Sequence, residues 1–160
     1  MNILIDIGHP AHVHYFKHLA NLLKLRGHKV IISVKNLQSA VDLLESNNLD
    51  YILLPDKLDN KLGKAINQVR YDWSLFNLYR KYKVDLAIGV SITITHLSLI
   101  SKVKSFVFDD DDDEVQPLFV KWAHPFATEL LSPDVLNGKQ KRKGVIYYPG
   151  YQSGAKKSTK

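Results

Sequence analysis

The chain contains no cysteine, which removes disulfides, thiolate metal sites and cysteine nucleophiles from consideration and fits a reducing cytoplasm. No apolar run approaches the roughly 20 residues that a membrane-spanning helix needs. No basic segment followed by an apolar one marks a secretory leader. The G-x-G-x-x-G fingerprint of dinucleotide-binding turns is missing too, because Gly8 stands alone after the first apolar run. Acid is what the C-terminal end lacks. Residues 139 to 160 hold seven cations and no acid, leaving 15 cations against all 16 acids in the first 138 residues. The formal charge of +6 therefore belongs to the tail, and the body is near neutral. A basic end can attract anionic lipid or nucleic acid, and it can equally be a solvated terminus. No nucleic-acid partner is expected, and peripheral contact with the inner face of a membrane stays open.

With 160 residues, 45% of them hydrophobic and 24% charged, the chain can bury the core of one ordinary domain. The opening MNILIDIGHPAHVHYFK carries most of the information. Ile3, Leu4, Ile5 and Ile7 read as a strand buried on both faces. A turn at Gly8 follows, and then a helix over residues 12 to 26, on the spacing of Val13, Phe16, Leu19, Ala20 and Leu23, with Gly27 as its left-handed cap. Val30 to Val34 gives strand two, Ala40 to Leu44 a second helix, and Tyr51 to Leu54 strand three, stopped by Pro55. Leu62, Ile66, Val69, Trp73, Phe76 and Tyr79 predict the longest helix, with the Trp73, Phe76, Tyr79 stripe turned into the core. Val84 to Ile88 reads as strand four, Thr93 to Ser101 as a helix and Ser105 to Phe108 as strand five. A helix begins at Pro117 and ends near His124-Pro125. Glu129 to Leu131 and Val145 to Tyr148 are short strands. This alternation predicts an α/β, Rossmann-like, doubly wound parallel sheet in the order 3-2-1-4-5. The domain is expected to span residues 1 to 151, and residues 152 to 160 to be a disordered basic tail.

Ligand sites in such sheets lie at the carboxyl ends of the strands, so the loop holding His9, His12 and His14 is the first candidate. His9 or His12 suits a general base or a ligand hydrogen bond, because imidazole titrates near neutrality. The same residues also read as ordinary surface histidines. Metal is not expected there: His12 and His14 diverge by about 200° around a helix, and no carboxylate or cysteine stands beside them. His14 and His18 form an i, i+4 pair that can be plain surface. Gly8 and the first amides of the helix can hold an anion. After strand four, Gly89 and Ser91 allow a ligand to approach, while a helix cap alone would explain Ser91 or Thr93. After strand five, Asp109 to Asp113 and Glu114 contain D-x-D spacings that could hold Mg²⁺ or Mn²⁺. The plainer reading is a solvated loop, with Asp109 and Asp110 nearest the strand end as ligand-binding candidates.

DIGHPAHVHYFK, RGHKV, FDDDDDEVQPLFVKWAHPF and LLSPDVL together resemble a bacterial and archaeal family of unknown function described as predicted glycosyltransferases of the GT-B type. The resemblance runs from residue 1 to about Tyr151. It implies the N-terminal, acceptor-side domain of a two-domain enzyme with a cleft between its halves and no resident metal or other cofactor. It places His9, His12, His14, Asp109 and Asp110 in that cleft and assigns none of them a proven role. Members of the family continue after Y-x-G-Y with a second domain, where this chain reads QSGAKKSTK.

The expectation is therefore the acceptor-side half of a GT-B-like glycosyltransferase in cell-surface polysaccharide synthesis, cytoplasmic and inactive alone. Its partners would be a sugar or glycolipid acceptor and, through a C-terminal domain or partner subunit, a nucleotide-sugar donor. Half of a sugar-nucleotide epimerase-like enzyme and a non-catalytic binding or assembly module are the alternatives. A donor domain encoded beside this chain would separate the enzymes from the module.

Overall fold

The computed structural model describes residues 1–56, 63–109, 117–138 and 142–149. The expected tail, Asp110 and the acids 111 to 114 lie outside them. Among the described residues there are five α-helices and seven strands, alternating as far as β6: β1 (Asn2–Ile7), α1 (Pro10–Leu25), β2 (Lys29–Val34), α2 (Gln38–Ser46), β3 (Ile52–Leu53), α3 (Gly63–Tyr82), β4 (Leu86–Gly89), α4 (Ile92–Ile100), β5 (Lys104–Phe108), α5 (Pro117–Trp122), β6 (Glu129–Pro133) and, after a single 3-10 turn, β7 (Ile146–Tyr148). They build one parallel sheet in the order 3-2-1-4-5-6-7. The expected order holds, and the two short C-terminal strands extend it at the β5 edge.

Strand β1 sits between β2 and β4 and separates two cores. Ile3, Ile5 and Ile7 pack with Val13, Phe16 and Ala20 of α1 and Leu44 of α2. Leu4 faces the other way, toward Tyr71 and Leu75 of α3 and Ile94 and Leu97 of α4. Alternate side chains of a strand point to opposite faces, so a near-continuous apolar run is what a doubly covered strand requires.

Three helices end on a residue in the left-handed region just before the next strand: Gly27 at φ 80°, Asn48 at φ 52° and Lys83 at φ 49°. At the first, the His28 amide donates to the Leu23 carbonyl and the Gly27 amide to Lys24, the paired bonds of a Schellman ending. At Lys83 the Val84 amide donates to the Tyr79 carbonyl, which turns Val84 out of α3, so β4 begins at Leu86 and not at Val84. Strand β3 is two residues long, shorter than its apolar run suggested.

The buried face of α3 differs from the sequence expectation. Trp73 is 64% exposed, and Ile66 and Val69 are exposed with it. The face against the sheet is carried by Asn67, Tyr71 and Leu75. Both sets have helical spacing, and the inward one is disguised by an amide and a phenol. Phe76 and Tyr79 pack only at the core margin. Among the described residues no helix is long and apolar enough to cross a membrane.

Candidate functional site

The carboxyl ends of β1, β2 and β4 gather a polar cluster around Asp6, a residue that the sequence reading passed over. Asp6 is fully buried on the Leu4 side of β1. Its register partners are Ser33 of β2 and Gly89 of β4. The Ser33 hydroxyl donates to Oδ1 at 2.8 Å and the Ser91 hydroxyl to Oδ2 at 2.8 Å. Burial pushes the Asp6 carboxyl above its usual range, and the two hydroxyls and the Lys35 charge oppose that shift. The signal available in the sequence was a single acid inside the run ILIDI, one residue before the strand's end.

Ser91 occupies the N-cap position of α4 but makes no capping bond, because its hydroxyl is turned to Asp6. Thr93 accepts from Gln68 of α3 at 3.1 Å. Capping thus explains neither hydroxyl. At Gly89 an added Cβ would lie 2.9 Å from Cγ1 of Ile94 and 3.3 Å from the Asp6 carbonyl. The glycine there lets α4 close onto β4.

On the first loop, His9 caps α1: its Nδ1 accepts from the Ala11 amide at 3.2 Å, and Pro10 follows in the first turn. The Nδ1 of His12 accepts from the Gly8 amide at 3.2 Å. A backbone amide can only donate, so each neutral ring carries its proton on Nε2. Burial, with the charges of His9 and Lys35, pushes the His12 pKa down to about 4. The Lys35 ammonium, from the loop after β2, lies 4.8 Å from the centre of the Tyr71 ring and would stand 3.7 Å from a Cβ at Gly8. Lys35 was also missed; its signal was its place directly after a buried strand. The edge therefore offers hydrogen-bond donors and one cation, a set suited to hydroxyl and phosphate oxygens. His12 in this tautomer donates from Nε2 and has no free lone pair for a proton.

His14 is exposed and lines a depression of 310 Å³ with Tyr15, Phe16, Leu19, Phe108 and Tyr148. Asp109 is buried at the end of β5, where its Oδ2 lies 2.6 Å from His124 Nε2. The Arg142 guanidinium donates to the carbonyls of His124 and, at 2.8 Å, Ala127, binding this corner together. The structure thus joins Asp109 to His124 in the α5–β6 connection. Among the described residues no three His, Asp or Glu side chains converge as a metal site. A depression of 580 Å³ opens near the start of β4, lined by Phe76, Tyr79, Arg80, Ile100 and Lys102.

No protein-family model and no curated protein matches the chain in sequence. Solved structures match its fold. A UDP-N-acetylglucosamine 2-epimerase superposes with a TM-score of 0.74 at 13% identity, over 96% of this chain and 49% of its own. MurG of Acinetobacter baumannii gives 0.72 at 10% identity, over 92% and 45%. A glycosyltransferase of Rickettsia africae gives 0.67 at 13% identity, over 92% and 42%. The chain spans about half the length of these proteins. It has the Rossmann-like fold of one half of the GT-B glycosyltransferases and UDP-GlcNAc 2-epimerases.

Proposed function

We propose that this chain is the acceptor-side half of a GT-B-like glycosyltransferase acting in cell-surface polysaccharide synthesis at the inner face of a membrane. The observation that carries the reading is the donor-rich edge: the Nε2–H groups of His9 and His12 beside the Lys35 ammonium, at the strand ends where open α/β sheets bind ligands. In this reading His9, His12, Gly8 and Lys35 hold the hydroxyls and the anionic group of a sugar or glycolipid acceptor. The nucleotide-sugar donor is held by a second domain across the cleft, and transfer needs both, because the reaction depends on the two substrates being fixed against each other. The residues 1 to 151 form the acceptor domain. In this reading Asp109, paired with His124, and His14, on the depression with Phe108 and Tyr148, contribute to the fold and to the rim.

Membrane contact is supported by the exposed face of α3. Ile66, Val69 and Trp73 are exposed on it, Leu99 and Ile100 are exposed on α4, which packs against it, and the two helices and their ends also carry Arg80, Lys81, Lys83 and Lys102. Apolar side chains rimmed by cations suit an anionic lipid surface.

Titration of the ¹⁵N-labelled chain with N-acetylglucosamine 1-phosphate and with methyl glycosides of glucose, galactose and N-acetylglucosamine tests the reading. The expected result is a set of saturable shifts centred on Gly8, His12 and Lys35, weakened by Lys35→Ala. A chain that responds to none of these sugars is a binding or assembly module of another kind. Transfer or epimerisation of a nucleotide sugar by the chain alone would also overturn the two-domain account.

A further inference from the structure

A second pair of side chains near this edge has the opposite tautomer logic. Asp72 of α3 and His96 of α4 face each other across the helix–helix groove, with Oδ2 and Nδ1 2.7 Å apart. Gln68, one turn before Asp72, donates from Nε2 to Asp72 Oδ1 at 2.7 Å and to Thr93 at 3.1 Å. Both carboxylate oxygens are thereby engaged, and the orientation of the carboxylate is fixed. A carboxylate only accepts, so the His96 proton sits on Nδ1 and the lone pair is on Nε2. The His96 side chain keeps 24% of its surface exposed. Asp72 also lies close enough to Asp6 for its charge to add to the upward push on that carboxyl, which ties the pair to the strand ends.

A base needs a lone pair facing its substrate, with the other nitrogen held by an acceptor. His9 and His12 fail this requirement, because their Nδ1 lone pairs are bound by backbone amides. His96 meets it. Resting on the acceptor-side reading above, we propose that His96, oriented by Asp72, is the general base that takes the proton from the acceptor hydroxyl. The hydroxyl oxygen forms a bond to the anomeric carbon of a nucleotide-activated sugar, and its O–H bond breaks toward His96 Nε2. The bond from the anomeric carbon to the nucleoside diphosphate breaks, and the electron pair leaves with the diphosphate. The imidazolium formed is stabilised by the ionised Asp72.

Two measurements on the 160-residue chain test this. Long-range ¹H–¹⁵N correlation at neutral pH reads the tautomers. His96 is expected as Nδ1–H, and His9 and His12 as Nε2–H. Asp72→Ala is expected to abolish the His96 preference while leaving His12 unchanged. Limited diethyl pyrocarbonate, mapped by mass spectrometry, then reads the free lone pair: His96 is expected to react several-fold faster than His12 and to be shielded by the sugars named above. A merely structural link between α3 and α4 predicts no shielding. An Nε2–H His96, or one no more reactive than His12, overturns the proposal. So does a reactive His96 left unshielded while the sugars shift Gly8 and Lys35. If the sugars move none of these residues, the acceptor reading falls, and the base assignment falls with it.

Discussion

His12 refuses a proton that the unfolded chain accepts. Its folded pKa is pushed down to about 4 from the ordinary 6.5, first by burial and then by the charges of His9 and Lys35. Between those values the unfolded state binds more protons, so the His12 contribution destabilises the fold as pH falls from 6.5 to 4 and levels off below. At about 1.4 kcal/mol per unit the full effect is on the order of 3 kcal/mol. Asp6 works the other way: its raised carboxyl takes up a proton in the folded state first, which stabilises the fold as pH drops toward 3.8. Comparing urea midpoints of the wild type and His12→Gln from pH 7 to pH 4 isolates the histidine, since Asp6 is common to both. The wild type should lose more stability over that interval. Parallel curves would show that His12 is open to water. The histidine cluster was legible because crowding of one residue type is a property of the sequence itself. The tautomers were not legible, because they depend on which backbone amide each ring meets.

At the scale of the element, α3 separates spacing from burial. Its sequence offers two apolar stripes a fraction of a turn apart, and periodicity cannot choose between them. The sheet buries the one with Tyr71 and Leu75: the Tyr71 ring packs under the Lys35 ammonium at the carboxyl edge, and Leu75 fills the core. Leu75 is fully buried, whereas Trp73 is 64% exposed. Leu75→Ala should therefore cost about 2–5 kcal/mol in urea unfolding, and Trp73→Ala less than about 0.5 kcal/mol. The exposed stripe has its own readout. Co-sedimentation with vesicles of phosphatidylglycerol should exceed that with phosphatidylcholine, and Trp73→Ala should weaken it without changing the unfolding midpoint. A Trp73→Ala chain as destabilised as Leu75→Ala would mean that the face is packed in solution.

The order 3-2-1-4-5 was legible because each strand–helix–strand unit must cross over right-handedly, which leaves few ways to lay down an alternating chain, whereas the places of β6 and β7 beyond β5 were not. What sequence could not show was how unevenly the sheet is held. Strand β1 pairs along its length with β2 and along four residues with β4, and it is buried by a core on each face. At the edges of the described sheet, β3 pairs through Ser33 with Ile52 and Val34 with Leu53, and β7 pairs at three positions with β6. Ile146 and Leu53 are both exposed. Amide exchange reports the free energy of the smallest opening that frees each bond. The Ile5 and Ile88 amides lie in the middle of the sheet beneath both cores and can be freed only by opening the central strands from their neighbours, so they should exchange at the rate set by global unfolding. Those of β7 should exchange far faster, through local fraying that leaves the β1 core intact. Denaturant should then accelerate Ile5 and Ile88 with the full urea dependence of global unfolding and leave the β7 amides nearly unaffected until the transition begins. If Tyr147 and Ile5 instead shared one rate and one urea slope, the sheet would open as a single unit. The C-terminal strands would then belong to the same cooperative body as the site at β1.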